Sequence, residues 1–266
     1  MAASETVLIL AAHGSSFESA QRALTGFARR VQSEHPGVRV LFAGTAMRHP
    51  HKRDEASPME ETLESLAKAP PGGPMTVRVQ SLHVIAGAEF DRMRQQCLRF
   101  AAQTGTDIKI AGPLLLGAHN APLVARTLAE SLTQHAPDEA IVLMGHGTTH
   151  AAQELYRILA AHLASIQPLA FLGVLEAAES HNCLSVHTIA RSLAKSGIRR
   201  ARLVPFLTVA GRHAHKDLAG EDPGSWKSIL AGHGIEAAAD LTGLVEREGF
   251  ARLWLAGVSA LLTGRP

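Results

Sequence analysis

Residues 142–156 read VLMGHGTTHAAQELY, and residues 9–23 read ILAAHGSSFESAQRA. In each, an apolar run ends in a histidine followed by glycine, and a helix-like pattern begins at once. The two histidines, His13 and His146, lie 133 residues apart in a chain of 266. A phrase repeated at half the chain length points to two similar domains, 1–135 and 136–266.

The segments between the phrases support this. Val7–Ala12, Val38–Ala43, Val77–Ile85 and Ile108–Leu115 are short, continuous apolar runs of the kind that form buried parallel strands. They alternate with helical patterns over 19–31, 57–69, 89–103 and 120–134. Ser57, Pro58 and Glu60 form a helix start with a capping box. The second half repeats the order, with strands at Ile141–Met144, Leu169–Leu175 and Ala201–Val209. Its helices are expected at 153–163, 184–195, 225–231 and 246–262. The fold class is therefore α/β: two similar domains, each an open parallel sheet flanked by helices, with a cleft between them.

Composition narrows the function. Lys+Arg is 26 and Asp+Glu is 24, a net charge of +2 that gives no reason to expect nucleic acid. Cys97 and Cys183 form no CxxC pair, so neither a disulfide framework nor a thiolate metal site is suggested. Cys97 reads as core. No run of 18 apolar residues occurs, and the N-terminus reads as a strand rather than a signal peptide, so no membrane partner is expected and the cytoplasm is. Phosphate loops, GxGxxG, HExxH and GxSxG are all absent. The unusual count is 15 histidines, side chains that serve as metal ligands or proton acceptors near neutral pH.

Ligands in open α/β sheets sit beyond the carboxyl ends of the strands. In the second half those ends offer His146, Glu176 and His213, a donor set for Co2+, Fe2+, Ni2+ or Zn2+, or a proton-accepting set. In the first half they offer His13, His83 and Glu89. Aligning the halves puts Glu89 opposite His213 and Met47 opposite Glu176. Each has a plainer alternative. His146 fills a gap or caps a helix, Thr148 is a helix N-cap, His83 is a buried hydrogen-bonded histidine, and Glu89 supports the next helix. Arg48, Lys52 and Arg53, with His49 and His51, form a basic loop past a strand end. It is either solvated or suited to a polycarboxylated ligand.

The stretches SPMEETLESLAKA, VQSLHVIAGAEFDRM, VLMGHGTTHAAQELY and LTVAGRHAHKDLAGEDPGSWKSIL, with LTGLVEREGF near the end, resemble the sirohydrochlorin cobaltochelatase (CbiK-type) family. These are class II chelatases related in fold to ferrochelatase. The resemblance implies ATP-independent insertion of Co2+ into sirohydrochlorin with release of two protons, a lyase reaction of anaerobic cobalamin biosynthesis. It implies His146, Glu176 and His213 as metal-binding and catalytic residues, and no organic cofactor. Its partners are sirohydrochlorin, a polycarboxylated tetrapyrrole, and the divalent metal. Family members form homo-oligomers, which leaves self-association open. Three departures stand out. His13-Gly14-Ser15-Ser16 replaces a Phe-Gly-Thr-Ser-like opening, region 177–200 is longer, and Arg212 stands where an acidic residue is common. The nearest rival is a ferrochelatase for siroheme, with Fe2+ in place of Co2+. Rivals of other classes are a non-catalytic tetrapyrrole or metal carrier and a zinc-dependent hydrolase.

Overall fold

The computed structural model describes residues 5–46, 58–68, 75–132, 136–176 and 185–264. The basic loop with Arg48, Lys52 and Arg53 lies outside them, as do Met47, Ser57 and Cys183.

The chain forms two four-stranded parallel sheets. The first contains β1 (Glu5–Ala12), β2 (Arg39–Gly44), β3 (Met75–Ser81) and β4 (Asp107–Ala111), in the order β2-β1-β3-β4. The second contains β5 (Glu139–Gly147), β6 (Ala170–Glu176), β7 (Arg200–Pro205) and β8 (Glu236–Ala239), in the order β6-β5-β7-β8. Both are the same doubly wound arrangement, in which the chain reverses direction across the sheet after its second strand. The switch points therefore fall between β1 and β3, and between β5 and β7. A crevice opens beyond the strand ends at such points.

Helices α1 (Glu18–Glu34), α2 (Pro58–Ala67), α3 (Ala88–Thr104) and α4 (Ala121–Ser131) belong to the first half of the chain. The second half carries α5 (Gln153–Ile166), α6 (Val186–Lys195), α7 (Trp226–Gly232) and α8 (Glu248–Thr263). β1 and β5 are buried along most of their length because both faces are covered. Val7, Ile9, Val77 and Val79 pack with Met59 and Leu63 of α2 and with Phe90, Met93 and Cys97 of α3. Burial pushes the Cys97 thiol up to about 12, so it behaves as a small hydrophobe. In the second sheet, Val142, Met144 and Leu203 pack with Ile189 and Leu193 of α6 and Trp226 and Leu230 of α7. Each such side chain contributes about 1.5–3 kcal/mol.

The division of the chain differs from a cut at 135/136. One compact unit comprises residues 1–14, 24–114 and 252–266, and the other comprises 15–23 and 115–251. The C-terminal helix explains part of this. Trp254 of α8 meets Phe27 of α1 edge-on at 6.3 Å between ring centroids. A Cβ on Gly257 would lie 2.4 Å from Oε1 of Gln80 on β3, so α8 is packed hard against the first sheet.

Two strands also depart from the apolar pattern. β3 stops at Ser81, so His83 lies beyond the strand and not within it. β8 was not apparent from its sequence, EAAA, which has no apolar alternation. It forms because β7 has a free edge: Glu236 N–H donates to Arg199 C=O at 2.8 Å and Asp240 N–H to Leu203 C=O at 2.9 Å.

Candidate metal and proton site

The repeated phrase is repeated in structure. Gly14 and Gly147 both adopt left-handed backbone, with φ of +89° and +83°. Beyond each, a hydroxyl closes a short turn. Ser15 Oγ accepts from Phe17 N–H, and Thr148 Oγ1 accepts from His150 N–H, both at 3.1 Å. Thr148 is thus a turn residue and not a helix cap, since the cap position of α5 is Ala152. The turn is held further by Gln153, whose side-chain oxygen accepts from Thr148 N–H at 2.9 Å.

Both glycines around His146 have a steric reason. A Cβ on Gly145 would lie 2.6 Å from the ring of Tyr156, and one on Gly147 would lie 2.4 Å from the carbonyl oxygen of Glu176. Tyr156, the only tyrosine, is buried beneath the turn. Burial pushes its phenol up to about 12, against backbone hydrogen bonds from Gly147 and His146. A neutral buried phenol thereby anchors the backbone that carries His146. Sequence reading missed it; the signal was the lone Tyr that ends the quoted stretch.

His146 and His213 come together, with ring centroids 4.8 Å apart and planes at 86°. His146 Nδ1 lies 3.2 Å from Gly147 C=O, and His213 Nδ1 lies 2.7 Å from a carboxylate oxygen of Asp217. Each partner can only accept, so each Nδ1 donates. Asp217 owes its position to a wide turn, the π-helix Ala214–Leu218. Such turns recur at functional sites. Its exit requires glycine, because a Cβ on Gly220 would lie 2.2 Å from Lys216 C=O. Ser225 then donates to Gly220 C=O at 2.7 Å and caps α7 by accepting from Ser228 N–H at 3.1 Å. These bonds give the AGRHAHKDLAG and SWK phrases a structural purpose. His215 faces away and stacks on Phe17 at 5.0 Å.

Glu176 ends β6, the strand beside β5. It is in register with Gly147, one place beyond His146, and β6 flanks β5 on the side away from the switch point. No three His, Cys, Asp or Glu among the described residues converge to hold a metal. Register also corrects the alignment of the halves. Gly44 faces Ala12 and Val174 faces Gly145, so Ala46, not Met47, is the counterpart of Glu176.

The first sheet assembles His13, His83 and Glu89 into one network with two residues the sequence reading passed over. His13 Nδ1 donates to both oxygens of Glu89 at 3.0 Å. Thr45 donates to Glu89 Oε1 at 2.5 Å, and Thr45 Oγ1 lies 2.9 Å from His83 Nε2. Ser81 Oγ lies 2.9 Å from His83 Nδ1. His83 is 8% exposed, with its hydrogen bonds satisfied inside the protein. Burial raises the Glu89 pKa, but hydrogen bonds and charges of His13 and His83 prevail and hold it well below the usual carboxylate range. The Glu89 hydrogen bond raises the His13 pKa, against burial and the charge of Arg92.

Two parallel sheets with imidazoles gathered at both switch points define a chelatase-type α/β protein. The fold agrees with the sirohydrochlorin chelatase SirB from Bacillus subtilis subspecies spizizenii in complex with cobalt, at a TM-score of 0.64 and 14% identity, covering 98% of this chain and 96% of that one. Residues 6–262 match the family model Cobalt chelatase (CbiK), and the chain belongs to that family. It is 35% identical to sirohydrochlorin cobaltochelatase CbiKC of Nitratidesulfovibrio vulgaris over 261 residues, 96% of this chain and 91% of the relative. It is 29% identical to sirohydrochlorin cobaltochelatase of Salmonella typhimurium over 218 residues, 82% of this chain and 80% of the relative.

Proposed function

We propose that this protein inserts Co2+ into sirohydrochlorin in anaerobic cobalamin biosynthesis, without ATP or an organic cofactor. The observation that carries the reading is the imidazole pair His146–His213 at the β5/β7 switch point, with both Nδ1 positions tied down. Family membership supports the same chemistry.

Metal insertion requires the ion to shed water and the ring to lose two pyrrole protons. Neutral imidazole nitrogens replace water without adding charge, so the ion keeps its full attraction for the ring nitrogens. His146 and His213 hold the ion by Nε2, and Glu176 supplies a carboxylate as a third donor. A cation near the ring lowers the cost of deprotonating it, as it does for bound water. Arg48, Lys52 and Arg53 are assigned to the carboxylates of the substrate, where guanidinium pairing is favourable. The protein acts in the cytoplasm and needs neither nucleic acid nor a membrane; among the described residues no helix is long and apolar enough to cross one.

The test is anaerobic incubation of sirohydrochlorin with Co2+ and catalytic amounts of protein, followed by absorbance, with a parallel Fe2+ arm. Multiple turnovers faster with Co2+ are expected. Faster turnover with Fe2+ assigns the protein to siroheme synthesis, and a change that stops at one equivalent makes it a carrier.

A further inference from the structure

We propose that Tyr156 and Gln153, side by side on the first turn of α5, are positioning residues for His146, and that they hold it by receiving the backbone N–H groups of the turn that carries it. The inference deepens the chelatase reading above and rests on it, since it takes His146 as a metal ligand.

Three successive N–H groups are involved. Those of His146 and Gly147 donate to the phenol oxygen of Tyr156. That of Thr148 donates to Oε1 of Gln153 at 2.9 Å. β5 pairs with β7 only as far as Met144, so beyond that point one flank of the chain needs partners from elsewhere. Side chains at positions i and i+3 of a helix share a face, which lets Gln153 and Tyr156 reach the same turn together.

The ring of Tyr156 adds a steric constraint. It occupies the space that a side chain at Gly145 would need, and it meets Phe206 edge-on at 6.3 Å between ring centroids. Phe206 donates its own N–H to Met144 C=O at 2.8 Å. The phenol is thus wedged between the ends of β5 and β7, the strands that lead to His146 and His213. Tyr156 is 2% exposed and Gln153 3%, so neither can leave without opening this packing. An imidazole ligand is placed by its backbone as well as by the partner of its ring, and a misplacement of about 1 Å can cost about 10²-fold. Neither Tyr156 nor Gln153 touches the ion or the macrocycle in this scheme; both act through His146.

The test is a double-mutant cycle on the full chain, read by Co2+ calorimetry, with steady-state kinetics under limiting Co2+ in parallel. Tyr156→Phe removes the phenol oxygen and keeps the ring, so the packing on Gly145 and Phe206 is retained. It should weaken Co2+ binding about 10- to 100-fold, and raise the KM for Co2+ by more than it lowers kcat. On a His146→Ala background the same change should have no further effect, because the ligand it positions is gone. Gln153→Met is the second variant, and the cycle is run with it if Tyr156→Phe does not fold. It loses the acceptor for Thr148 N–H but also removes Nε2, a buried nitrogen with no hydrogen-bond partner among the described residues. Urea unfolding should therefore show a small loss of stability, while Co2+ affinity still falls about 10-fold. A purely structural role would lower affinity by the same factor with and without His146. That outcome, or wild-type affinity in the folded variants, overturns this inference alone. A His146→Ala variant that binds Co2+ as tightly as the wild type overturns the metal-site reading beneath it.

Discussion

The ends of β1 and β5 are built on one backbone plan and finished with different chemistry. Each presents a histidine, a left-handed glycine and a hydroxyl-closed turn. They diverge beyond the third strand of each sheet, where one half supplies Glu89 from the first turn of α3 and the other supplies His213. The first combination makes an imidazole–carboxylate pair whose polar groups satisfy one another. The second makes two orthogonal imidazoles, each with Nδ1 bonded. One position in a duplicated strand end thus decides whether a carboxylate or a second imidazole faces the histidine.

The sharpest way to break this comparison is to delete one imidazole from each end. His213→Ala or His146→Ala should weaken Co2+ binding by more than the roughly 10–100-fold expected for loss of an outer partner. Asp217→Asn should fall inside that smaller range, since it leaves both ring nitrogens present but loosens the tautomer. Co2+ titration by calorimetry on the free protein reads all three without relying on turnover. His13→Ala should leave Co2+ affinity unchanged in the same experiment. Equal losses from His13→Ala and His213→Ala would end the assignment of the metal to the imidazole pair.

Much of this was legible in the sequence, and the failures have definite causes. The two sheets, the strand-end residues and the Glu89–His213 correspondence follow from apolar runs and the repeated phrase. Thr45 could not be found, because a buried hydroxyl carries no local signal of what lies opposite it. Asp217 stood in the quoted AGRHAHKDLAG phrase, but its contact with His213 depends on a wide turn that sequence periodicity does not announce. Glu176 was placed with the histidines from its strand end and from the family resemblance, and register sets it beside Gly147, one place beyond His146. Domain limits were drawn at the repeat boundary, whereas α8 packs on the sheet of the first half through Gly257 and Trp254.

The two glycines offer a test of intermediate size. Gly14→Ala pays the left-handed penalty of about 1–2 kcal/mol, and its new Cβ meets nothing closer than Gly44 Cα at 3.9 Å. Gly147→Ala pays the same penalty and also drives a Cβ to 2.4 Å from the Glu176 carbonyl. Moving that backbone adds the about 1–3 kcal/mol typical of overpacking. Urea unfolding at neutral pH should therefore show Gly147→Ala as the more damaging change. Equal losses would mean that β6 yields freely at its end, and that Glu176 is less constrained than its register implies.

The smallest effect expected is electrostatic, and it separates the two ends by pH. The folded-state pKa of His13 is raised above 6.5, so its contribution to stability is complete below about pH 6.5 and disappears as pH rises through the folded value. That of Glu89 is depressed below 4.5, so its contribution is complete above about pH 4.5 and is lost as pH falls. The pair is therefore worth most between these limits. His13 is well exposed, so solvent screening holds its value to about 1 kcal/mol or less. The stability difference between wild type and Glu89→Gln, from urea unfolding at fixed ionic strength, should be largest between about pH 4.5 and 6.5. It should shrink toward pH 8 and diminish in 1 M salt. His213→Gln should show no maximum tied to Glu89. A Glu89→Gln difference that stays flat from pH 5 to pH 8 would mean that His13 gains no proton affinity from the carboxylate, and the chemical contrast between the strand ends would have to rest on the imidazole pair alone.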